Sequence, residues 1–160
     1  MWGVMVLSYI LMAISLILII ITALSGYIHL SLFTDHITIA LFSSISYMFT
    51  ETMILFYFIT VGMKIKEIIK SNDLDIVKYY KPILDMKMKL YPHIMLNMIL
   101  IGITFIIGGG VHTGTIAIEL HSVLFFAAII HFLWLIILQH RCFIKNTEVV
   151  ILVYDLVKDK

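Results

Sequence analysis

The sequence predicts an all-α protein, an integral membrane four-helix bundle with both termini cytoplasmic. Three observations predict it. The 160-residue chain is 62% hydrophobic with a mean hydropathy of +1.09, and only 13% of its residues are Asp, Glu, Lys or Arg, about half the ~25% of an ordinary soluble domain. Four apolar runs each approach span length. The positive charges are confined to two places. This composition excludes a soluble globular domain, and a net charge of +1 excludes a nucleic-acid binder, which needs a dense basic face. A single cysteine excludes a disulfide framework and Cys-ligated zinc or iron–sulfur sites.

The first run, Val4 to Leu24, is broken only softly by Ser8, Tyr9, Ser15 and Thr22. Ala23-Leu24-Ser25 has the small-residue look of a signal-peptide cleavage site, but no Lys or Arg precedes the run, so it reads as an uncleaved first helix. The second run is Ile37 to Val61. The third, His93 to Ile107, needs flanking residues to reach full width. The fourth is Ile116 to Leu138. A hydrocarbon core of roughly 30 Å takes about 20 helical residues, which places spans at about 4–24, 37–62, 91–108 and 116–139. Barrel strands would alternate apolar and polar residues, and these runs are apolar on all faces. All 160 residues read as a single membrane domain.

Seven lysines lie between Lys64 and Lys89, and Arg141, Lys145, Lys158 and Lys160 close the chain, whereas residues 1–63 and 90–140 have no Lys or Arg. The positive-inside rule then puts a 63–90 loop and a 141–160 tail in the cytoplasm. Within the loop, Met63 to Lys70 extends the second helix, Ser71-Asn72-Asp73 reads as a stop followed by an N-cap, and Leu74 to Lys81 reads as a short helix that Pro82 ends or restarts. The loop's apolar face suits the membrane surface, and the alternative is docking of a soluble partner. In the tail, Val149, Val150, Leu152, Val153 and Leu156 are placed to pack on a neighbour.

Ionisable residues within spans are functional candidates because their burial is costly. By helical rise, Glu51 and His131 lie roughly 20 Å from the outer surface and His93 roughly 22 Å, so three helices share one layer. Ser44, Tyr47 and Glu51 form one polar stripe, and His93, Asn97, Thr104 and Gly108 another; such stripes face a bundle interior. The plainer reading is a hydrogen-bond network joining helices. The sharper one is a haem held by His93 and His131, with Glu51 and Tyr47 tuning it or relaying protons. The outer connections carry His29, Asp35, His36, His112, Glu119 and His121. Of these, His29, His36, His112, His121 and Glu119 suit copper, zinc or iron, and two of His36, His112 and His121 suit a second haem. The plainer reading is loop polarity. Gly108 to Gly114 (GGGVHTG) reads as a turn holding His112 between two helices, close enough for a flat ligand to approach. His140 reads as an interfacial residue, and Cys142 as an inert thiol.

Phe56-Tyr57-Phe58-Ile59, running into Gly62-Met63-Lys64-Ile65-Lys66-Glu67, and Gly108 to Gly114 resemble a family of small four-helix prokaryotic membrane proteins of unassigned function. The resemblance covers residues 27–146; it implies the four-span outline and a prokaryotic cytoplasmic membrane, and contributes no activity. More generically, the histidines resemble those of four-helix b-type cytochromes and the haem-bearing anchor subunits of respiratory complexes, which implies haem b. The pattern departs from theirs in that only the fourth span carries two histidines, His121 and His131, which counts against a second haem.

The expected function is therefore a membrane subunit of a redox complex that binds b-type haem, passes electrons across or along the membrane, and is not catalytic alone. Its partners are the bilayer and other membrane subunits, with no nucleic acid. The alternatives are a metal-binding accessory subunit of a membrane oxidase or monooxygenase, using the outer histidines and carboxylate, and a purely structural subunit. No broken span or inverted repeat suggests a transporter, and no nucleophile–base pair suggests a hydrolase.

Overall fold

The computed structural model describes residues 2–28 and 35–158. It is all-helical, with four helices: α1 (Trp2–Tyr27), α2 (His36–Ser71), α3 (Ile76–His112) and α4 (Ile118–Lys158). All four are long and apolar enough to cross a membrane. Each helix packs along its successor, and α2 also meets α4. Side chains of α1 reach α4: the Tyr9 hydroxyl bonds His140 Nδ1 at 2.8 Å, and Tyr27 stacks on Phe126. The bundle thus has a lysine end, with the α2–α3 turn and both termini, and a lysine-free end, with the α1–α2 and α3–α4 connections.

The helices are longer than the apolar runs. The expected 63–90 loop is a helical hairpin. Nothing between Met63 and Lys70 breaks α2, so it runs on to Ser71. Asn72 closes it, its side-chain amide donating to the Ile68 carbonyl at 2.9 Å, and Asp73 reverses the chain at φ 52°. The N-cap of α3 is Asp75, which accepts from the amides of Val77 and Lys78, and not a residue of the 71–73 triplet. Pro82 neither ends nor restarts a helix; it and Pro92 both lie inside α3. Each removes one ladder bond, and packing of buried Ile83, Met86, Leu90 and Ile94 outweighs that loss. The tail is the continuation of α4: Val150 and Val153 are buried, Val149 packs against the core, and Leu152 stays exposed.

The glycine segment is likewise helical through His112, and the turn follows it. Gly114 takes φ +71°, the left-handed conformation that suits glycine at a helix C-terminus. Thr115 N–H bonds the Gly110 carbonyl at 2.9 Å, and the Ile116 side chain sits where a Cβ on Gly110 would be.

Two buried clusters form the core. The larger, toward the lysine end, includes Phe58, Ile65, Ile69, Leu90, Leu135 and Phe143. The smaller holds Ile19, Tyr47, Ile101, Phe125, Ala128 and Phe132. The outside is apolar too, with Ile10, Phe42, Phe56, Ile106, Val123 and Ile130 exposed. So large an exposed apolar surface fits a lipid solvent and not water.

Candidate functional site

The lysine-free end holds a half-open cavity of about 460 Å³ between all four helices, within the ~300–1,000 Å³ of small-molecule and cofactor sites. Its lining is largely apolar, with Ile19, Ala23, Ile101, Phe105 and Phe125. Asp35, His36, His112 and His121 bring polar groups to it. The cavity exists because this end is built from small residues: Ala23 and Gly26 on α1, Ala40, Ser43 and Ser44 on α2, and Gly108 and Gly109 on α3.

His36 and His121 are held alike. The Ser25 hydroxyl donates its one proton to the Thr22 carbonyl at 2.9 Å, and the same oxygen lies 2.9 Å from His36 Nδ1. With its own proton on the Thr22 carbonyl, Ser25 is free to accept from His36 Nδ1. His121 Nδ1 lies 3.2 Å from the Thr104 carbonyl, which can only accept, so His121 carries its proton on Nδ1. With Nδ1 so engaged, an uncharged ring at either position has its lone pair on Nε2. Each ring packs on a glycine of a neighbouring helix. A Cβ on Gly26 would sit 2.9 Å from His36 Cε1, and one on Gly108 3.0 Å from His121 Cε1. Both imidazoles line the same cavity. Asp35 fixes the start of α2 as its N-cap, accepting from the Thr38 hydroxyl at 2.6 Å, and so sets the position of His36.

The other residues of the expected outer metal cluster do not join this pair. His112, at the rim of the cavity, and Glu119 are exposed, and His29 lies outside the described residues. Among the described residues no three His, Cys, Asp or Glu side chains come together to hold a metal ion. The physical reason is position: His36 and His121 are half-buried, whereas His112 is exposed at the cavity rim where α3 ends and Glu119 is exposed in the first turn of α4.

His93 and His131 do meet, on neighbouring helices, with ring centroids 5.8 Å apart. Their surroundings differ from those of the end pair. Trp134 packs edge-on against His93 at 4.6 Å and lies 5.5 Å from His131. Both ring nitrogens of His131 are buried without a hydrogen-bond partner. Glu51 stands apart from them: its Oε2 accepts from Gln139 Nε2 at 2.5 Å, eight residues past His131 on α4. Tyr47 donates to Asn97 Oδ1, Asn97 Nδ2 donates to the Ala128 carbonyl at 2.9 Å, and Phe132 packs edge-on against Tyr47.

Sequence reading missed Ser25, Gly26, Gln139 and Asn146. A signal for the first was present. Ser8, Ser15 and Thr22 recur every seven residues with Ser25 one turn on, and all four are buried; a polar heptad in an apolar helix marks its packed face. Gln139 and Asn146 continue the inward series Phe132, Leu135, Gln139, Phe143, Asn146 on α4. Compared with protein-family models, curated proteins and solved structures, the chain matches none. Fold and site together define a four-helix bundle of membrane-length helices with a histidine-bearing cavity at one end.

Proposed function

We propose that this chain is a haem-b-binding subunit of a membrane redox complex, with the haem in the end cavity and His36 and His121 as its ligands. The observation that carries the reading is the pair of rings that line one largely apolar cavity, each with its Nδ1 against an oxygen of a neighbouring helix. A ligating histidine almost always gives its other N–H to a carbonyl, carboxylate or water, which sets tautomer and ring orientation; Thr104 does this for His121, and the Ser25 hydroxyl plays the equivalent part for His36. Gly26 and Gly108 let both rings lie close to their neighbouring helices. The largely apolar lining suits a flat macrocycle, and Cys142, the chain's one cysteine, does not line the cavity, so the group would be held non-covalently, as haem b is. When bound, haem supplies a one-electron couple, and the chain's part is to hold and shield it.

The same features give less support to haem on His93 and His131, where Trp134 fills the adjacent space and no second hydrogen bond orients His131. On this reading the four helices cross a prokaryotic cytoplasmic membrane. The lysine end and both termini face the cytoplasm, and other membrane subunits supply and accept the electrons.

The test is a reduced-minus-oxidised spectrum and a pyridine haemochrome assay on protein purified from membranes. A b-type signal near one haem per chain, lost in His36→Ala and in His121→Ala, is expected. Full haem content in either variant, or no haem in the intact protein, overturns the proposal; the latter leaves a structural subunit.

A further inference from the structure

At the lysine end, α2 and α3 leave between them a groove that two lysines cross in opposite directions. Lys87 reaches from α3 to α2, where its ammonium lies over Gly62, at the place a Cβ would occupy. Gly62 is buried, and its lack of a side chain is what admits the ammonium. Lys66, one turn along α2, reaches the other way, and its ammonium stands 5.6 Å from the centre of the Tyr80 ring on α3. Lys87 is half-buried. Burial pushes its pKa below the ordinary lysine value, and no carboxylate counters that push.

The helical repeat turns the acids of this region to other faces. At about 100° per residue, Asp85 lies about 160° round α3 from Lys87, and Glu67 about 140° round α2 from Gly62. Asp73 and Asp75 belong to the turn at the far end of the groove, where Asp75 accepts from the amides of Val77 and Lys78. A cation drawn out of water without a counter-charge is costly, so the groove is short of an anion.

Depth selects the kind of anion. Gly62 directly follows the second apolar run, and Lys87 stands one turn before the third span. This is the level at which hydrocarbon gives way to headgroups. Beside the groove and toward the bundle centre, Ile59 of α2 and Met88 and Met95 of α3 are exposed, which continues the basic groove as an apolar track.

We infer that this groove binds an anionic phospholipid: the phosphate sits on the Lys87 ammonium, with Lys66 one turn outside it, and an acyl chain runs along Ile59, Met88 and Met95. Basic pockets between membrane helices on the cytoplasmic side take acidic headgroups in this way. A free phosphate shares the headgroup's charge but leaves the apolar track uncovered. Gly62 sets the site by giving the ammonium its seat between the helices. No bond is made or broken, and the site is independent of what fills the cavity at the other end.

The test is native mass spectrometry of the delipidated full chain in detergent, with dioleoyl phosphatidylglycerol, dioleoyl phosphatidylcholine or inorganic phosphate as the probe. Wild type is expected to hold phosphatidylglycerol at least about tenfold more tightly than phosphatidylcholine. Lys87→Gln is expected to weaken phosphatidylglycerol binding by about fivefold. Gly62→Ala, which displaces the same ammonium and keeps its charge, is expected to weaken it by about as much. Lys89→Gln removes the same charge at the same depth, about 160° round the helix from Lys87, and is expected to leave binding within about twofold of wild type. Lys66→Gln serves in place of Lys87→Gln should circular dichroism show that variant unfolded. Equal affinity for the two lipids overturns the proposal, as does wild-type affinity in Gly62→Ala or in the lysine variant of the groove. An equal loss in Lys89→Gln overturns it too, by showing diffuse attraction to the whole basic end. So does displacement of the lipid by inorganic phosphate, which would assign the groove to a soluble anion.

Discussion

The two histidine pairs of this bundle differ in everything except residue type. His36 and His121 come from α2 and α4, are oriented through Nδ1, lie on glycines and border a cavity of about 460 Å³. His93 and His131 come from the adjacent helices α3 and α4, pack against Trp134, and leave both His131 nitrogens unpartnered. Depth along the helix, the quantity a sequence offers, favours the second pair. Anchoring and open space favour the first. Imidazoles at one level do not make a ligand site unless a second hydrogen bond sets the tautomer and small residues leave room for the ligand.

This contrast can be broken or sharpened by substitution. The largest effect is expected at Gly108 and Gly26. An added methyl would press on His121 or His36 at about 3 Å, and both contacts are with rings already held by hydrogen bonds. Gly108→Ala and Gly26→Ala should lower haem affinity toward the ~100-fold end of the range for lost outer-shell support, measured by haem titration of the apoprotein. Next is Ser25→Ala, which removes the acceptor for His36 Nδ1 and should weaken haem binding by about tenfold in the same titration, with helix content unchanged.

A smaller effect of opposite sign is expected at the other pair. A buried polar group without a partner costs ~1–3 kcal/mol, so His131→Leu should raise the thermal stability of the detergent-solubilised protein by about 1 kcal/mol and leave haem content as in wild type. Loss of haem in that variant would invert the comparison. The smallest effect belongs to a control glycine. A Cβ on Gly62 would meet Lys87 Nζ, the far end of a flexible side chain that can swing away. Gly62→Ala should change stability by less than about 1 kcal/mol and haem affinity not at all, as unfolding and titration would show.

Much of the fold was legible in the sequence because hydrophobic runs of span length are a one-dimensional signal. The four helices, and the packing of the tail through Val150 and Val153, follow from it. The helix ends were less legible. Met63–Ser71 and Ile76–Leu90 are too charged to read as spans, yet they are helical because Ile65, Ile69, Ile83 and Leu90 bury one face against each other's helices. Pro82 reads as a breaker, and tertiary packing overrides it. Of the candidate site, the histidines and the stripe through Tyr47 and Glu51 were visible. Ser25 and Gln139 were not, because a hydroxyl or an amide in an apolar run looks like a tolerated interruption until its partner on another helix is known.

The sequence by itself determined the helical class, the number of helices and the separation of a lysine end from a lysine-free end. These depend on local hydropathy and on charge position along the chain. Only the tertiary structure decided which histidines are anchored, where small residues leave a cavity, and that Glu51 meets Gln139 while His131 meets His93. Those outcomes depend on the rotation and axial offset of each helix against its neighbours. Many side chains far apart in the chain set that register together when they pack, and no single run of residues encodes it.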